Sequence, residues 1–182
     1  KQWGNLAIIA QYFGTTPAGL ALASYDAVLR RWSGRDDFLV TLTTINAPQP
    51  QQVAERTIAV AHRAHCNLDN QWQATLADVR DDLRASIANP IPLTTELRAA
   101  LASSAGHTGL SPYIFTYAAD QQLLDPQQVT ALGAPVEVRS ATPQVLIDCQ
   151  CVNTTGNVTL SWDVRTDGIR ADVAQQMFDT LV

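Results

Sequence analysis

Cysteine is scarce in this chain: three in 182 residues, at Cys66, Cys149 and Cys151. Three thiols cannot all pair internally and are too few for a disulfide scaffold, so a reducing cytoplasm is the expected setting. Charge is also sparse, with 12 basic against 17 acidic residues and a net charge of -5. The basic residues are scattered, which leaves no electrostatic footprint for nucleic acid. No apolar run approaches the roughly 20 residues that cross a bilayer, so no membrane partner is expected. Lys1-Gln2-Trp3-Gly4-Asn5 leads into a short mixed segment without a small-residue cleavage site, so no signal peptide is visible. Without secretion, Asn153-Thr154-Thr155 and Asn157-Val158-Thr159 read as polar turns rather than glycan acceptors. Repeats, low-complexity tracts and obvious linkers are lacking.

What remains is an ordinary globular composition, 46% hydrophobic and 16% charged, in a length that suits one domain with a real core. Trp3, Leu6, Ala7, Ala10 and Phe13 share a helical face that Gly14 ends. Thr16-Pro17 supplies an N-cap and a first-turn proline for a second helix running through Leu20, Ala23, Ala27 and Val28 to Trp32. Phe38 to Ile45 predicts a strand, stopped by Asn46-Ala47-Pro48-Gln49-Pro50. Thr57 to Ala64 fits a strand, although its alanines leave a helix open. Trp72, Leu76, Val79, Leu83 and Ile87 make the clearest amphipathic helix, and Thr94 or Thr95 caps a shorter one.

After the turn-rich residues 103–109, Tyr113 to Tyr117 reads as a buried strand entered through Pro112. Val136 to Arg139 is a further strand. A hairpin follows, from Val145 to Val152 and Asn157 to Val164 around Gly156, and then a closing helix with Val173, Met177 and Leu181. Helices first, strands alternating with helices and a late hairpin imply an α/β or α+β layered sandwich with a mixed sheet.

Most chemistry-bearing residues have a plain structural reading. His62, His65 and Cys66 sit on a strand that turns the two histidines to opposite faces, so they do not form a metal site. Cys149 and Cys151 share one strand face and behave as small buried hydrophobes, with no adjacent base to activate them. His107 lies in a Gly-Ser-rich loop. There is no Ser-His-Asp ordering, no Gly-rich phosphate loop and no His-x-x-x-Asp signature.

One stretch stands apart. Thr142-Pro143-Gln144-Val145-Leu146-Ile147-Asp148 is followed by thirteen residues and then Trp162-Asp163. It joins a rigid turn, an apolar strand, a carboxylate and a Trp-Asp pair one hairpin later. The run resembles the last core motif of the heterocyclization domains of nonribosomal peptide synthetases, Ser/Thr-Gln/Arg-Thr-Pro-Gln-Val-x-Leu/Ile-Asp, thirteen residues, Trp-Asp. With Ser140 and Ala141 ahead of Thr142, only the Gln/Arg position departs. Thr15-Thr16-Pro17-Ala18-Gly19-Leu20 through Leu29-Arg30-Arg31-Trp32 is similar to the family's helix motif, and Pro112-Tyr113-Ile114-Phe115-Thr116-Tyr117 resembles its Pro-Val-Val-Phe-Thr-Ser motif, with Tyr117 in place of Ser. Where the family carries Gly/Ala-Asp-Phe-Thr, the chain has Ala54-Glu55-Arg56-Thr57, and only Thr57 fits.

The resemblance covers the whole chain and implies the C-terminal lobe of a two-lobed condensation-type domain. It implies a chloramphenicol-acetyltransferase-like two-layer sandwich, with the N-terminal lobe and its Asp-x-x-x-x-Asp signature absent. The copies of that spacing at Asp120 to Asp125 and Asp167 to Asp172 lie in the wrong place in the order. It further implies condensation of a carrier-bound acyl donor with carrier-bound cysteine, serine or threonine, then cyclodehydration to a thiazoline or oxazoline. Thr116 and Asp148 are then the catalytic pair, and Gln144, Trp162 and Thr57 the substrate contacts. No bound metal or cofactor is expected, because substrates ride on the phosphopantetheine of carrier proteins. The implied partners are those carriers, the N-terminal lobe and adjacent synthetase domains. Two alternatives stay open: a degenerate, non-catalytic lobe serving as a scaffold or carrier-protein module, and a stand-alone acyltransferase using coenzyme A.

Overall fold

A computed structural model describes residues 2–45, 57–65, 72–88, 111–122, 126–133, 142, 144–153 and 157–182. Helix α1 spans Gln2–Tyr12 and α2 spans Pro17–Ser33. The sharp corner between them follows from local chemistry. Gly14 takes a left-handed φ of 65°, and the Thr16 hydroxyl accepts the Gly19 N–H at 3.1 Å as the N-cap of α2, with Pro17 pre-set in the first turn. Gly34, also at φ 65°, ends α2 by donating its N–H to the Arg30 carbonyl at 3.0 Å.

Strands β1 (Asp37–Ile45) and β2 (Thr57–His65) pair antiparallel, which settles the strand-or-helix question at Thr57 to Ala64 in favour of the strand. Helix α3 (Trp72–Ala88) follows, then β3 (Tyr113–Gln122), a short α4 (Pro126–Leu132), the hairpin β4 (Ile147–Asn153) and β5 (Val158–Val164), and α5 (Ala171–Leu181). The five strands lie in the order β2-β1-β3-β4-β5, parallel at β1–β3 and β3–β4 and antiparallel at both edges. This is the two-layer sandwich with a mixed sheet that the pattern implied. The short helix Thr94 or Thr95 was to cap, the strand at Val136 to Arg139, the turn at Gly156, and Cys66, His107 and Pro143 lie outside the described residues.

The core fills the space between the helices and one face of the sheet. Strand side chains alternate faces, so Val40, Leu42, Phe115, Ile147 and Cys149 point one way, onto Leu22, Tyr25 and Leu29 of α2 and Met177 of α5. Tyr25 stacks on Phe115 with centroids 5.9 Å apart and meets Trp162 edge-on at 5.5 Å. The ends of two predicted apolar stripes project outward instead: Trp32, Trp72 and Ile87 are exposed. Among the described residues, no single helix is long and apolar enough to cross a membrane.

Candidate active site

The register puts polar residues on the sheet face turned away from the helices. One row across it reads Thr43, Thr116, Gln150, Ser161, and the row before it reads Thr41, Ile114, Asp148, Asp163. A helix-facing strand face is apolar because it is buried; this second face carries hydroxyls, an amide and two carboxylates at its centre.

The thirteen-residue spacing now has a physical meaning. With the hairpin paired antiparallel, it sets Asp148 opposite Asp163 and Cys149 opposite Trp162. The Trp-Asp pair therefore splits between faces: Asp163 joins Asp148, while Trp162 enters the core, edge-on to both Tyr25 and Phe178 at 5.5 Å. Trp162, expected as a substrate contact, thus sits on the face opposite Thr116 and Asp148 and packs the helical layer.

Thr116 and Asp148 share a face on neighbouring parallel strands but are diagonal to one another, about 8 Å apart along Cα by strand geometry. The residue directly opposite Thr116 is Gln150. Thr116 Oγ1 lies 2.5 Å from Thr43 Oγ1, and the Thr43 hydroxyl has the Phe115 carbonyl as a second acceptor at 3.4 Å. When Thr43 donates to that carbonyl, Thr116 must be the donor between the two hydroxyls, which leaves the Thr116 oxygen with its lone pairs as acceptors.

Asp148 is only 6% exposed. Its Oδ2 accepts the Gln150 side-chain N–H at 3.2 Å, and its Oδ1 is buried with no hydrogen-bond partner among the described residues. Buried carboxylate oxygens are normally satisfied, so a bare one is a place where a ligand proton fits. The arrangement holds a carboxylate and a hydroxyl oxygen with free lone pairs at a separation that a small group can span.

The remaining predicted contacts are spread out. Gln144 is exposed at the turn ahead of β4, with a left-handed φ of 69°. Thr57 lies opposite Ile45 on the edge strand β2, separated from β3 by β1. Tyr117, replacing the family's Ser, points to the helical side and donates to Asp120 at 2.9 Å; burial, with that hydrogen bond, pushes its phenol well up. Beside it, an apolar cavity of about 80 Å³ lies among Ala18, Leu42, Val60, Phe115 and Ile87, away from Asp148.

The thiols agree with the reading of buried hydrophobes. Burial pushes the Cys149 thiol well up and takes Cys151 up to about 12, so neither is a nucleophile near neutrality. His62 is not an ordinary half-buried histidine. It is 2% exposed, with Nε2 at 2.9 Å from Oδ2 of the wholly buried Asp26. An aspartate on the apolar face of α2, between Tyr25 and Ala27, was the available signal for that pair. Sequence reasoning did not single out Thr43 and Gln150 and quoted Asp163 only as part of the Trp-Asp motif, since only the register brings these three beside Thr116 and Asp148. Among the described residues, no group of three His, Cys, Asp or Glu side chains is placed to hold a metal ion.

A mixed sheet with helices on one face and a polar row on the other is the architecture of a condensation-type lobe, and comparison with known proteins agrees. No protein-family model matches the chain. Pyochelin synthetase PchF of Pseudomonas aeruginosa is 31% identical over 191 residues, which cover 99% of this chain and 10% of that protein. Phenyloxazoline synthase MbtB of Mycolicibacterium paratuberculosis is 28% identical over 176 residues, covering 93% of this chain and 15% of that protein. The rhombohedral crystal structure of the EpoB cyclization-docking bidomain from Sorangium cellulosum superposes with a TM-score of 0.77 at 25% identity, covering 98% of this chain and 37% of the bidomain. The chain belongs to the condensation-type domains of nonribosomal peptide synthetases and matches the C-terminal lobe of such a domain. It spans between a tenth and a sixth of the length of these two curated relatives.

Proposed function

We propose that the chain is the C-terminal lobe of a heterocyclization domain and contributes Thr116 and Asp148 to cyclodehydration of a newly formed amide. The observation that carries this reading is the in-register β3–β4 pairing, which sets both residues on one face, with Asp148 Oδ1 buried and without a hydrogen-bond partner among the described residues. The names of the relatives agree in kind: a pyochelin synthetase, a phenyloxazoline synthase and a cyclization bidomain.

The substrate is an acyl group joined to cysteine, serine or threonine, each delivered on a carrier-protein phosphopantetheine. The side-chain thiol or hydroxyl adds to the amide carbon and gives its proton to Asp148, which passes it to the former carbonyl oxygen to make a hydroxyl. Asp148 then takes the proton of the amide nitrogen and gives it to that hydroxyl, which leaves as water as the C=N bond forms. One water departs and Asp148 ends as it began. Thr116, whose own proton goes to Thr43, accepts a hydrogen bond from the hydroxyl formed on the former carbonyl oxygen and orients it for departure. A partner N-terminal lobe closes the reaction tunnel over this face.

The experiment combines the chain with an N-terminal condensation lobe and carriers loaded with donor and cysteine, and follows condensation and loss of water by intact mass. Thiazoline formation that fails in Thr116→Ala and Asp148→Ala is the expected result. Absence of cyclised product, with both variants indistinguishable from the parent, defeats the proposal.

Ala54-Glu55-Arg56-Thr57 in place of Gly/Ala-Asp-Phe-Thr favours a second reading, a degenerate lobe that only docks carrier proteins or neighbouring synthetase domains. Carrier binding by titration without turnover supports that reading; full turnover excludes it.

A further inference from the structure

Gln150 stands directly opposite Thr116 and two residues beyond Asp148 on the same strand face, so it is the side chain that adjoins both members of the pair. Its Nε2 donates to Asp148 Oδ2 at 3.2 Å, while Asp148 Oδ1 has no partner among the described residues. The two carboxylate oxygens are thus chemically unequal before any substrate arrives. The direction of the bond follows from the groups: an ionised carboxylate only accepts, so the amide presents N–H and not its carbonyl.

On the heterocyclization reading, we infer that Gln150 is a positioning residue that assigns separate tasks to the oxygens of Asp148: Oδ2 is anchored by the amide, and Oδ1 alone exchanges the proton with substrate. A proton placed on Oδ1 leaves the Oδ2 lone pair free to keep accepting from Gln150, so the anchor persists through both halves of the cycle. A proton on Oδ2 would set hydrogen against the amide hydrogen and force the carboxyl to turn. Gln150 thereby keeps the carboxyl plane fixed while Oδ1 takes the proton of the attacking thiol or hydroxyl and delivers one to the departing water. Ser161 and Thr43 complete the row without a hydrogen bond to Asp148, and among the described residues the anchoring falls to Gln150.

Two measurements test this, and they separate its failure from failure of the functional reading. In the 182-residue chain itself, the Gln150 side-chain amide resonance in a ¹⁵N–¹H spectrum should move as Asp148 titrates and should stop moving in Asp148→Asn. An amide that does not respond overturns the inference whatever the chain catalyses. In the assembly with an N-terminal lobe and loaded carriers, Gln150→Met keeps the side-chain length and loses the donor. Cyclodehydration is expected to fall by about 10- to 100-fold through misplacement of the carboxyl, with condensation and KM retained. Gln150→Met at parental rate beside an inactive Asp148→Ala defeats the inference alone. Parental rates in both defeat the functional reading with it.

Discussion

His62 Nε2 and Asp26 Oδ2 meet 2.9 Å apart inside the helical layer, tying the middle of α2 to the edge strand β2. Asp26 Oδ1 and His62 Nδ1 are buried with no hydrogen-bond partner among the described residues, so each residue depends on the other. Removing one member of such a pair strands the second, and Asp26→Ala is expected to cost about 3–5 kcal/mol. Urea unfolding of the chain and the variant checks it.

The same pair gives a pH dependence of known sign. Burial raises the Asp26 pKa from 3.8, with the His62 hydrogen bond opposing the rise. A raised folded value means the native state holds the proton more tightly than the unfolded chain. The contribution is therefore full below pH 3.8 and is lost as pH climbs through the raised value. The stability of the parent minus that of Asp26→Asn should fall as pH increases from about 4 toward neutrality. A difference that grows over that interval contradicts the assignment.

For the chemistry, Asp148→Asn and Thr116→Val alter the functional groups with little change in volume. Each is expected to slow cyclodehydration by about 10²–10⁴-fold while the linear condensed product still accumulates. Intact-mass analysis resolves the two products by one water. Equal loss of both steps would mean that the residues hold the lobe together rather than move protons.

Gln144 is the one described non-glycine residue with positive φ, at 69°. A β-carbon in the left-handed region costs about 1–2 kcal/mol, and glycine escapes it at some entropic expense in the unfolded chain. Gln144→Gly should raise stability by a few tenths to about 1 kcal/mol. If the same variant also weakens substrate KM in the assembly, Gln144 contacts substrate as the resemblance implied.

Burial protects the strand thiols. In a Cys66→Ser background, Cys149 and Cys151 should resist an aromatic disulfide reagent at pH 8 and react together once the chain is unfolded in urea. Rapid labelling of the native protein would place these thiols at an accessible surface, against their burial on the core side of β4.

Local order was largely legible in the chain. The Thr16-Pro17 cap, the strand from Phe38, the stripe through Leu76 and Val79, and the hairpin closing on Trp162 all depend on short-range periodicity and turn chemistry, which a sequence carries openly. Helix α4 escaped notice because seven residues, about two turns, with Pro126 at the start are too few to show a stripe. Of the candidate site, Thr116 and Asp148 were visible only through their surrounding motifs.

The sequence by itself determined most of the described elements, the family resemblance and the two residues proposed for chemistry, because each is written in neighbouring positions. The tertiary structure decided which residues share a face. Parallel pairing of β3 and β4 sets Gln150 against Thr116, antiparallel pairing of β4 and β5 sets Asp148 against Asp163, and both send Trp162 to the core. A side chain's face depends on strand register. Register is settled by contacts between segments far apart in the chain, and no local pattern encodes it.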